Sequence, residues 1–574
     1  MVSKENAFRT KKRRGDIRML TVLLSWIYTA AVCMVIGTGI LGVIKKEKFS
    51  WIYSMMAGII AITVYAEFFS IFAKIGAFAH CVMLAAALLI VYFRRQEIGR
   101  LLKCARAVAC SWEGVFYFGF ILFIAFFTSR GEFHTDTNIY HAAAIRLYEE
   151  YGVLKGAGNL QLHYAYNSSY LAFASVFSLN WLFGRSLHTT TGLLEVIMCL
   201  YAFHGLKDFK KHESHLTDMM GIGILFYTLV NVTRSMSPAT DYAVMYFAFF
   251  IMTAWCDNIE RKVEGTAAYS ILAVAAVFCA TMKFSSCLLV LLAVYPAVLL
   301  IKEKKWKEIA VYVACGCVIL LPFFIRNYLI SGWLLYPFGG IDIFSPEWKI
   351  PKEYLLVDSA QITVWGRCLY DIAKIDLPMA DWLPVWWEHQ FRYEQMFLGA
   401  VILAAVLQIL ILFVKFFQKQ RFCFPLAALH LAIWGNLLVW FFMAPFIRYG
   451  LAFLFAVIML AVGECISVKR SGAFSILTGG LLFCILVSVS PYWDQYVTDA
   501  GVFVKHTLKE PYYVLQKDYD RGNMESCEIN GNRIYYATLD EVNSYHYYPG
   551  TCYREMLERS ELMGDTIEDG FRAK

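Results

Sequence analysis

The sequence predicts an all-α bundle that crosses a membrane many times, because apolar stretches of spanning length recur along most of its 574 residues. Hydrophobic residues make up 59% of the chain and charged residues 17%, which excludes an ordinary water-soluble domain. Each stretch has roughly 17 to 25 residues, with which a helix crosses about 30 Å of hydrocarbon while satisfying its own backbone hydrogen bonds. We therefore predict a polytopic membrane protein of about 13–14 transmembrane helices.

The apolar stretches divide the chain into a basic N-terminal segment (1–18), a transmembrane domain (19–489) and a C-terminal extracytoplasmic domain (490–574). The first stretch is too long for the apolar part of a secretory signal and lacks its cleavage site, so we expect it to be retained. The predicted spans are residues 19–43, 51–72, 75–93, 113–129, 187–206, 217–233, 238–256, 266–282, 286–301, 308–325, 396–417, 422–443, 446–465 and 472–489.

Lysine and arginine occur in alternate short loops, as is typical of the cytoplasmic side of a membrane protein. This pattern places the loops 130–186 and 326–395, together with the C-terminal domain, on the outer face. The same count puts the N-terminus outside although residues 11–14 are all basic, so we expect one early stretch not to cross fully. The basic loops are residues 207–211, 261–262, 302–307, 415–421 and 469–470.

The first outer loop is predicted to begin with an interfacial helix that Thr135 or Asp136 can cap and Gly152 can end. Residues 169–184 are apolar but short and interrupted, so we expect them to lie along the membrane or to dip into it. The apolar positions of the helix recur at steps of four: Ile139, Ala143, Leu147 and Tyr151.

In the C-terminal domain, residues 533–538 predict one or two short strands in a small α+β cap. Cys527 and Cys552 both lie in this domain. They form either a disulfide or two unrelated thiols.

Acids, histidines and an arginine directly follow one predicted span, in residues 129–141. Asp136 is the candidate catalytic base, and the alternative is a helix N-cap. Asp241 begins a later span at the same face and is a second candidate acid, unless it caps that helix after a proline turn. The other candidates in the first loop are Glu132 for catalysis and His134, Tyr140 and His141 for substrate binding.

Four cations fall at predicted outer ends of spans, against the positive-inside rule. Together they favour binding of a shared anionic ligand, such as the phosphate of an outer-leaflet lipid. Individually, each could instead reach out to lipid headgroups. These cations are Arg234, Lys283, Arg326 and Arg448.

Glu67 and Glu195 lie inside apolar stretches, where each is either a hydrogen-bonded structural residue or a proton relay. Tryptophans are frequent in residues 326–395, where an aromatic belt at the membrane interface is the more common explanation and sugar stacking the other. No spacing of metal ligands is visible, so we expect no cofactor, although a divalent metal is not excluded.

Several motifs of the chain resemble a group of poorly characterised bacterial membrane proteins associated with surface-polysaccharide synthesis, which look like glycosyltransferases of the GT-C type. The first motif is Asp-Thr-Asn-Ile-Tyr-His at 136–141. The others are Glu-Glu-Tyr-Gly-Val at 149–153, Gly-Asn-Leu at 158–160, Tyr-Asn-Ser-Ser at 166–169, Ser-Pro-Ala-Thr-Asp at 237–241 and Pro-Phe-Ile-Arg-Tyr at 445–449. The chain differs from the simplest members in having several apolar stretches before the acidic loop.

The resemblance implies a GT-C-like bundle in the inner (plasma) membrane with its active site on the extracytoplasmic face. It also implies an inverting glycosyltransferase that uses a polyprenyl-phosphate sugar as donor and a cell-surface glycan or lipid as acceptor. Asp136 matches the essential acid of the group, and Arg326 and Arg448 would stabilise the departing phosphate. We also expect membrane lipid as a partner, and no nucleic acid. The alternatives are a polymerase or ligase acting on a polyprenyl-diphosphate oligosaccharide and, third, a transporter.

Overall fold

The computed structural model describes residues 18–44, 49–206, 215–419, 423–467, 516, 518–519, 522–538 and 542–574. Within these residues the chain is mostly helical. The helices are α1 (Arg18–Ile44), α2 (Trp51–Ser70), α3 (Ala77–Phe93), α4 (Arg95–Ala109), α5 (Trp112–Arg130), α6 (Ala142–Glu150), α7 (Ala157–Leu160), α8 (Ser169–Val176), α9 (Asn180–Phe183), α10 (Thr190–Leu206), α11 (His215–Asn231), α12 (Thr240–Glu260), α13 (Thr266–Met282), α14 (Val294–Lys302), α15 (Trp306–Ser331), α16 (Lys352–Gly366), α17 (Met379–His389), α18 (Arg392–Phe417), α19 (Phe424–Met443), α20 (Ile447–Ser467) and α21 (Arg554–Glu558).

The predicted helical bundle is confirmed, although the described residues contain fewer full-length spans than expected. Ten helices are long and apolar enough to cross a membrane, or eleven if the bent pair α3 and α4 forms one span. The helices α10 and α13 match predicted spans but have only 17 residues each. The predicted span 472–489 lies outside the described residues.

Two glycines bring α1 and α2 into direct backbone contact. A Cβ on Gly37 would lie 1.7 Å from the Ser54 carbonyl oxygen, and one on Gly58 would lie 1.8 Å from that of Cys33. Any larger residue would force the two helices apart, as at other small-residue helix interfaces in membranes. The early helices therefore pack as a fixed antiparallel pair.

The helices α12 and α20 form the centre of the bundle, with 89% of the most apolar part of each buried inside the protein. Most other long helices expose apolar side chains on their outer sides, as expected where lipid covers them. Asp241 lies in the first turn of α12 and Arg448 in the first turn of α20. Two candidate site residues therefore lie on the most enclosed elements.

The loop 130–186 lies inside the protein more than at its surface. The predicted helix is present as a π-helical turn, Thr137–His141, continued by α6, but most of α6 is buried. The C-terminal domain covers it, with the Arg146 guanidinium 4.8 Å from the Tyr548 ring centroid. Residues 169–184 do not form one helix: α8 is fully buried, and α9 is a short exposed turn.

The C-terminal domain is the small α+β cap that the sequence predicts. Its strands are β1 (Met524–Ile529), β2 (Asn532–Ala537), β3 (Gly550–Thr551), β4 (Ser560–Leu562) and β5 (Phe571–Ala573). β1 and β2 form an antiparallel hairpin across Asn530 and Gly531, β3 pairs parallel with β2, and β4 pairs antiparallel with β5. The Cys552 thiol contacts Gln161 and, like Cys527, is free of any disulfide.

Candidate functional site

Two acids far apart in the sequence, Asp136 and Asp241, are brought together by Arg448. The Arg448 Nη2 donates to Asp136 Oδ2 at 3.1 Å, and its Nε lies 3.2 Å from Asp241 Oδ2. Asp136 follows the end of α5, whereas the other two residues begin α12 and α20. Three elements therefore meet at one end of the bundle.

Lys283 extends this group, which we call the ion network (Asp136, Asp241, Lys283 and Arg448). Its amino group donates to Asp241 Oδ1 and lies 3.4 Å from the centroid of the Tyr449 ring. The Tyr449 hydroxyl in turn accepts from Arg448 Nη2 at 3.2 Å. Two carboxylates and two cations alternate, so the network is close to neutral as a whole.

His134 packs against both Asp136 and Arg448. Burial lowers the pKa of His134 to about 4, an effect that Asp136 opposes and Arg448 reinforces, so the ring is neutral at neutral pH. Its Nε2 contacts the Arg448 guanidinium, and its Nδ1 lies 3.4 Å from Asp136 Oδ2. The Nδ1 atom also accepts from the backbone N–H of Asp136 at 3.1 Å, so the ring fixes the position of Asp136 in the loop.

Ser237 attaches the loop of Asp136 to the start of α12. Its hydroxyl accepts from the His134 backbone N–H at 3.2 Å and lies 2.5 Å from the Thr137 hydroxyl. Thr137 opens the π-helical turn, a geometry that often occurs at functional sites. Ser237 therefore fixes the position of Asp136 relative to Asp241, which lies four residues after Ser237.

Neither acid acts as a helix cap. Asp136 immediately precedes the π-helical turn, but its side chain forms no capping hydrogen bond. At α12 the capping position is occupied by Ala239, and the Asp241 carboxylate points to Lys283 and Arg448 instead. The structure therefore disfavours the alternative interpretation of both residues.

The charge of Asp136 is set by competing effects. Burial alone would raise the pKa of this carboxyl, but the nearby Arg448, His134, His141 and Lys283 together outweigh it and hold the pKa below its usual value. Asp136 is therefore ionised at neutral pH. Its pKa would rise if Arg448 turned to another anion, because the largest opposing charge would then be shared.

An apolar cavity of about 260 Å³ lies on one side of the network. Lys283 and Tyr449 lie on its wall, and most of the remaining lining is aromatic or aliphatic. The polar side chains among its lining include Tyr140, His163, Tyr166, Ser285, Arg326 and Tyr336.

Asp358 fixes the aromatic wall of this cavity. Its carboxylate accepts from the hydroxyls of Tyr166 at 3.1 Å and Tyr336 at 2.9 Å, and burial raises the pKa of Asp358. Tyr140 continues the wall and stacks on His163 with ring centroids 5.1 Å apart. The wall thus runs from the ion network into the apolar cavity.

A second, polar cavity of about 280 Å³ lies on the other side, where Arg448 forms part of its wall. Glu132 and Arg234 both face this cavity, and Arg234 Nη1 lies 3.5 Å from the Tyr242 hydroxyl. The described contacts join neither Glu132 nor Arg234 to the carboxylates of the network. The ion network contributes one wall residue to each cavity, Lys283 to the apolar one and Arg448 to the polar one, whereas Asp136 and Asp241 are not among the lining residues of either.

Arg326 does not join the network, although it lines the apolar cavity. Its guanidinium is fully buried, donates to Asn167 Oδ1 at 3.2 Å and to Ser70 Oγ at 2.5 Å, and lies 3.9 Å from the Tyr148 ring centroid. These contacts are enough to explain why Arg326 is buried, without a bound anion. The sequence placed it correctly at this end of the bundle but did not show these partners.

The two buried glutamates and His141 each interact with a residue outside the ion network. Glu67 is attracted by Arg326, and Glu195 accepts from the Ser235 hydroxyl. His141 is buried, with Nδ1 3.3 Å from the Thr137 hydroxyl. None of the three makes a direct contact with Arg448 in the described structure. Each therefore lies beside the site without being part of the ion network.

A family model described as "Domain of unknown function (DUF8201)" matches residues 19–455. The chain belongs to the DUF8201 family. All four residues of the ion network lie in the matched region, whereas the C-terminal cap lies beyond it. No curated protein and no solved structure matches the chain.

In this DUF8201 protein, sequence reasoning missed Tyr449, Tyr242 and Asp358. The first two adjoin predicted residues and could have been proposed from that proximity alone. Asp358 carried no signal, because its partners are about two hundred residues away in the case of Tyr166 and lie in an irregular loop in the case of Tyr336. Among the described residues, no group of three or more His, Cys, Asp or Glu side chains is placed to hold a metal ion.

Proposed function

We propose that this protein is an inverting membrane glycosyltransferase that moves a sugar from a polyprenyl-phosphate donor to a glycan or lipid acceptor at the outer face. The observation that carries the proposal is the ion network, which contains two carboxylates and two cations and supplies a cation to the wall of an apolar cavity and another to the wall of a polar one. A donor in which a phosphate links an isoprenoid chain to a sugar matches this arrangement of an apolar cavity, cations and a polar cavity. The distribution of basic loops supports an outward-facing site, and the resemblance to GT-C-type proteins supports the inner (plasma) membrane.

The donor phosphate is assigned to Lys283 and Arg448. The isoprenoid chain would occupy the apolar cavity, and the phosphate would then reach Lys283 on the wall of that cavity and Arg448 on the wall of the polar one. Arg448 can hold a phosphate through two N–H groups, which is the favoured geometry for this side chain. Arg326 is given a structural role, because it is fully buried against Ser70, Asn167 and Tyr148, whereas the Arg448 side chain is 33% exposed.

Donor binding would also prepare the base. The phosphate competes with Asp136 for Arg448, and loss of that ion pair raises the pKa of the carboxylate and makes it a better proton acceptor. His134 stays next to both groups and limits their movement. Asp241 remains paired with Lys283 and keeps that cation in place.

Transfer then requires one displacement. A hydroxyl of the acceptor in the polar cavity attacks the anomeric carbon, the bond from that carbon to the phosphate oxygen breaks, and the phosphate leaves with the bonding electrons. The hydroxyl proton passes to Asp136. Arg448 and Lys283 stabilise the charge that develops on the phosphate, an effect commonly worth several kcal/mol in an enclosed site.

The test compares surface glycans by mass spectrometry in a deletion strain complemented with the wild type, Asp136→Asn or Asp565→Asn at matched membrane expression. Asp565 is an exposed acid of the cap and serves as the matched control. Loss of one sugar in the deletion and in Asp136→Asn, with the control normal, supports the proposal. Accumulated unpolymerised repeats would favour a polymerase or ligase, and unchanged glycans in the deletion strain would contradict all of these enzymes and favour a transporter.

A further inference from the structure

The helix α4 lies outside the bundle at the end opposite to the ion network. The chain bends by 94° between α3 and α4, and α4 has no buried residue. The following helix, α5, has 19 residues and leads directly to the loop of Asp136, so α4 lies about 28 Å from that site. Because α5 is long enough to cross a membrane and the 17 apolar residues of α3 are at the lower limit for doing so, a helix bent by 94° from α3 lies along the membrane surface.

Specific contacts hold α4 in this orientation at both ends. At its start, Arg94 Nη2 donates to the carbonyl oxygen of Gly42 at 2.7 Å, close to the end of α1. At its end, Gly114 approaches so closely that a Cβ there would lie 2.4 Å from the carbonyl oxygen of Val108. Packing contacts at both ends of α4 therefore fix the bend.

The sequence of α4 separates into an apolar and a basic face. The apolar positions recur at steps of three and four, which places them on one side of a helix; they are Ile98, Leu101, Leu102, Ala105 and Val108. Leu102 is 66% exposed and Ile98 and Leu101 are half-buried, so the described part of the protein leaves most of this face uncovered. The other side carries the basic residues Arg95, Arg100, Lys103 and Arg106. The acid of the helix, Glu97, is paired with Arg94 at 3.2 Å.

We infer that α4 is an interfacial helix that binds anionic phospholipid headgroups of the leaflet opposite to the ion network. Its apolar face enters the boundary of the acyl chains, and its basic face lies among the phosphates, as in other in-plane helices of this composition. The charge of the surface and its continuity with the spanning helices favour lipid over an acidic protein. This inference is independent of the proposed glycosyl transfer.

The test measures amide hydrogen exchange of residues 95–109 in the full-length protein, reconstituted in nanodiscs of phosphatidylcholine alone or mixed with phosphatidylglycerol. Exchange should be slower in the anionic nanodiscs, and Arg100 and Lys103 should account for up to about thirty-fold of the difference, because each of these two cations gains about 1 kcal/mol at such a surface. The difference should decrease by up to this factor in Arg100→Gln/Lys103→Gln, which leaves Arg95 and Arg106 in place. It should persist in the matched control Lys352→Gln/Lys374→Gln, which neutralises two exposed lysines of the other face.

Equal exchange in the two nanodiscs would overturn the inference and leave an acidic protein as the remaining class of partner. A difference of unchanged size in Arg100→Gln/Lys103→Gln would also overturn it, because protection would then not depend on these charges. High salt should weaken the difference in the wild type, since surface electrostatics are screened within about 10 Å at moderate ionic strength.

Discussion

Ser544 of the C-terminal cap donates two hydrogen bonds to the carbonyl oxygen of Asn138, from its backbone N–H at 3.1 Å and from its hydroxyl at 2.7 Å. Asn138 lies two residues after Asp136, inside the π-helical turn. Ser237 holds the same turn from the side of the bundle. The cap, which lies beyond the matched family region, therefore helps to position the candidate base.

We predict that Ser544→Ala loosens the turn without unfolding the cap. The substitution removes one of the two bonds to Asn138, which is worth about 1 kcal/mol. Hydrogen exchange of residues 137–141 should become faster, while exchange of β1 and β2 should not change. The matched control is Ser526→Ala on the exposed side of β1, and an equal effect of both substitutions would contradict the positioning role.

Removal of Arg448 should destabilise the protein because it leaves Asp136 and Asp241 close together without their shared cation. We expect Arg448→Met to lower the free energy of unfolding by about 2 kcal/mol, less than for a fully buried pair because part of the side chain is exposed. The check is the thermal midpoint in detergent.

The double variant Arg448→Met/Asp136→Asn should recover part of this loss, since one of the two unpaired charges is then absent. Arg392→Met, which removes an exposed arginine at the start of α18, is the control and should have little effect. No recovery in the double variant would show that Arg448 stabilises the protein mainly through packing.

The pKa of His134 falls from 6.5 to about 4 in the folded protein, mainly because the ring is buried. Between these values the unfolded chain binds a proton that the folded protein does not, so stability is lost as the pH falls below 6.5. We expect this ring to contribute about 2 kcal/mol of lost stability between pH 7 and pH 5. Asp136 contributes at lower pH. Because its pKa is depressed in the folded protein, the stability that its charge provides is lost only as the pH falls below the usual carboxyl range.

His134→Gln should therefore show a smaller decrease in thermal midpoint from pH 7 to pH 5 than the wild type. The exposed His389 provides the control, and His389→Gln should keep the wild-type pH dependence. Identical pH dependence in wild type and His134→Gln would show that the ring is not held neutral by the fold.

The sequence could predict the bundle and the meeting of Asp136, Asp241, Lys283 and Arg448 at one face, because span boundaries and alternating loop charge constrain which helix ends lie together. It could not distinguish Arg326 from the other cations, since its burial depends on Ser70 and Asn167 from distant elements. Tertiary packing also decided the environment of α6. Its apolar periodicity fits a membrane surface, but the cap covers it with Tyr545 and Tyr548.

If the protein transfers a sugar as proposed, substitutions in the two cavities should affect the donor and the acceptor separately. Thr363 lies on α16 and lines the apolar cavity, so Thr363→Trp should fill part of it and raise the KM for a polyprenyl-phosphate donor by about ten-fold, equivalent to about 1.4 kcal/mol. Arg234 faces the polar cavity, so Arg234→Gln should raise the KM for the acceptor and leave that for the donor close to normal. Lys352→Trp adds the same bulk to an exposed position of α16 and should change neither value. If Thr363→Trp raised the acceptor KM instead, the assignment of the cavities would be reversed; if both variants changed both values equally, the two substrates would not occupy separate cavities.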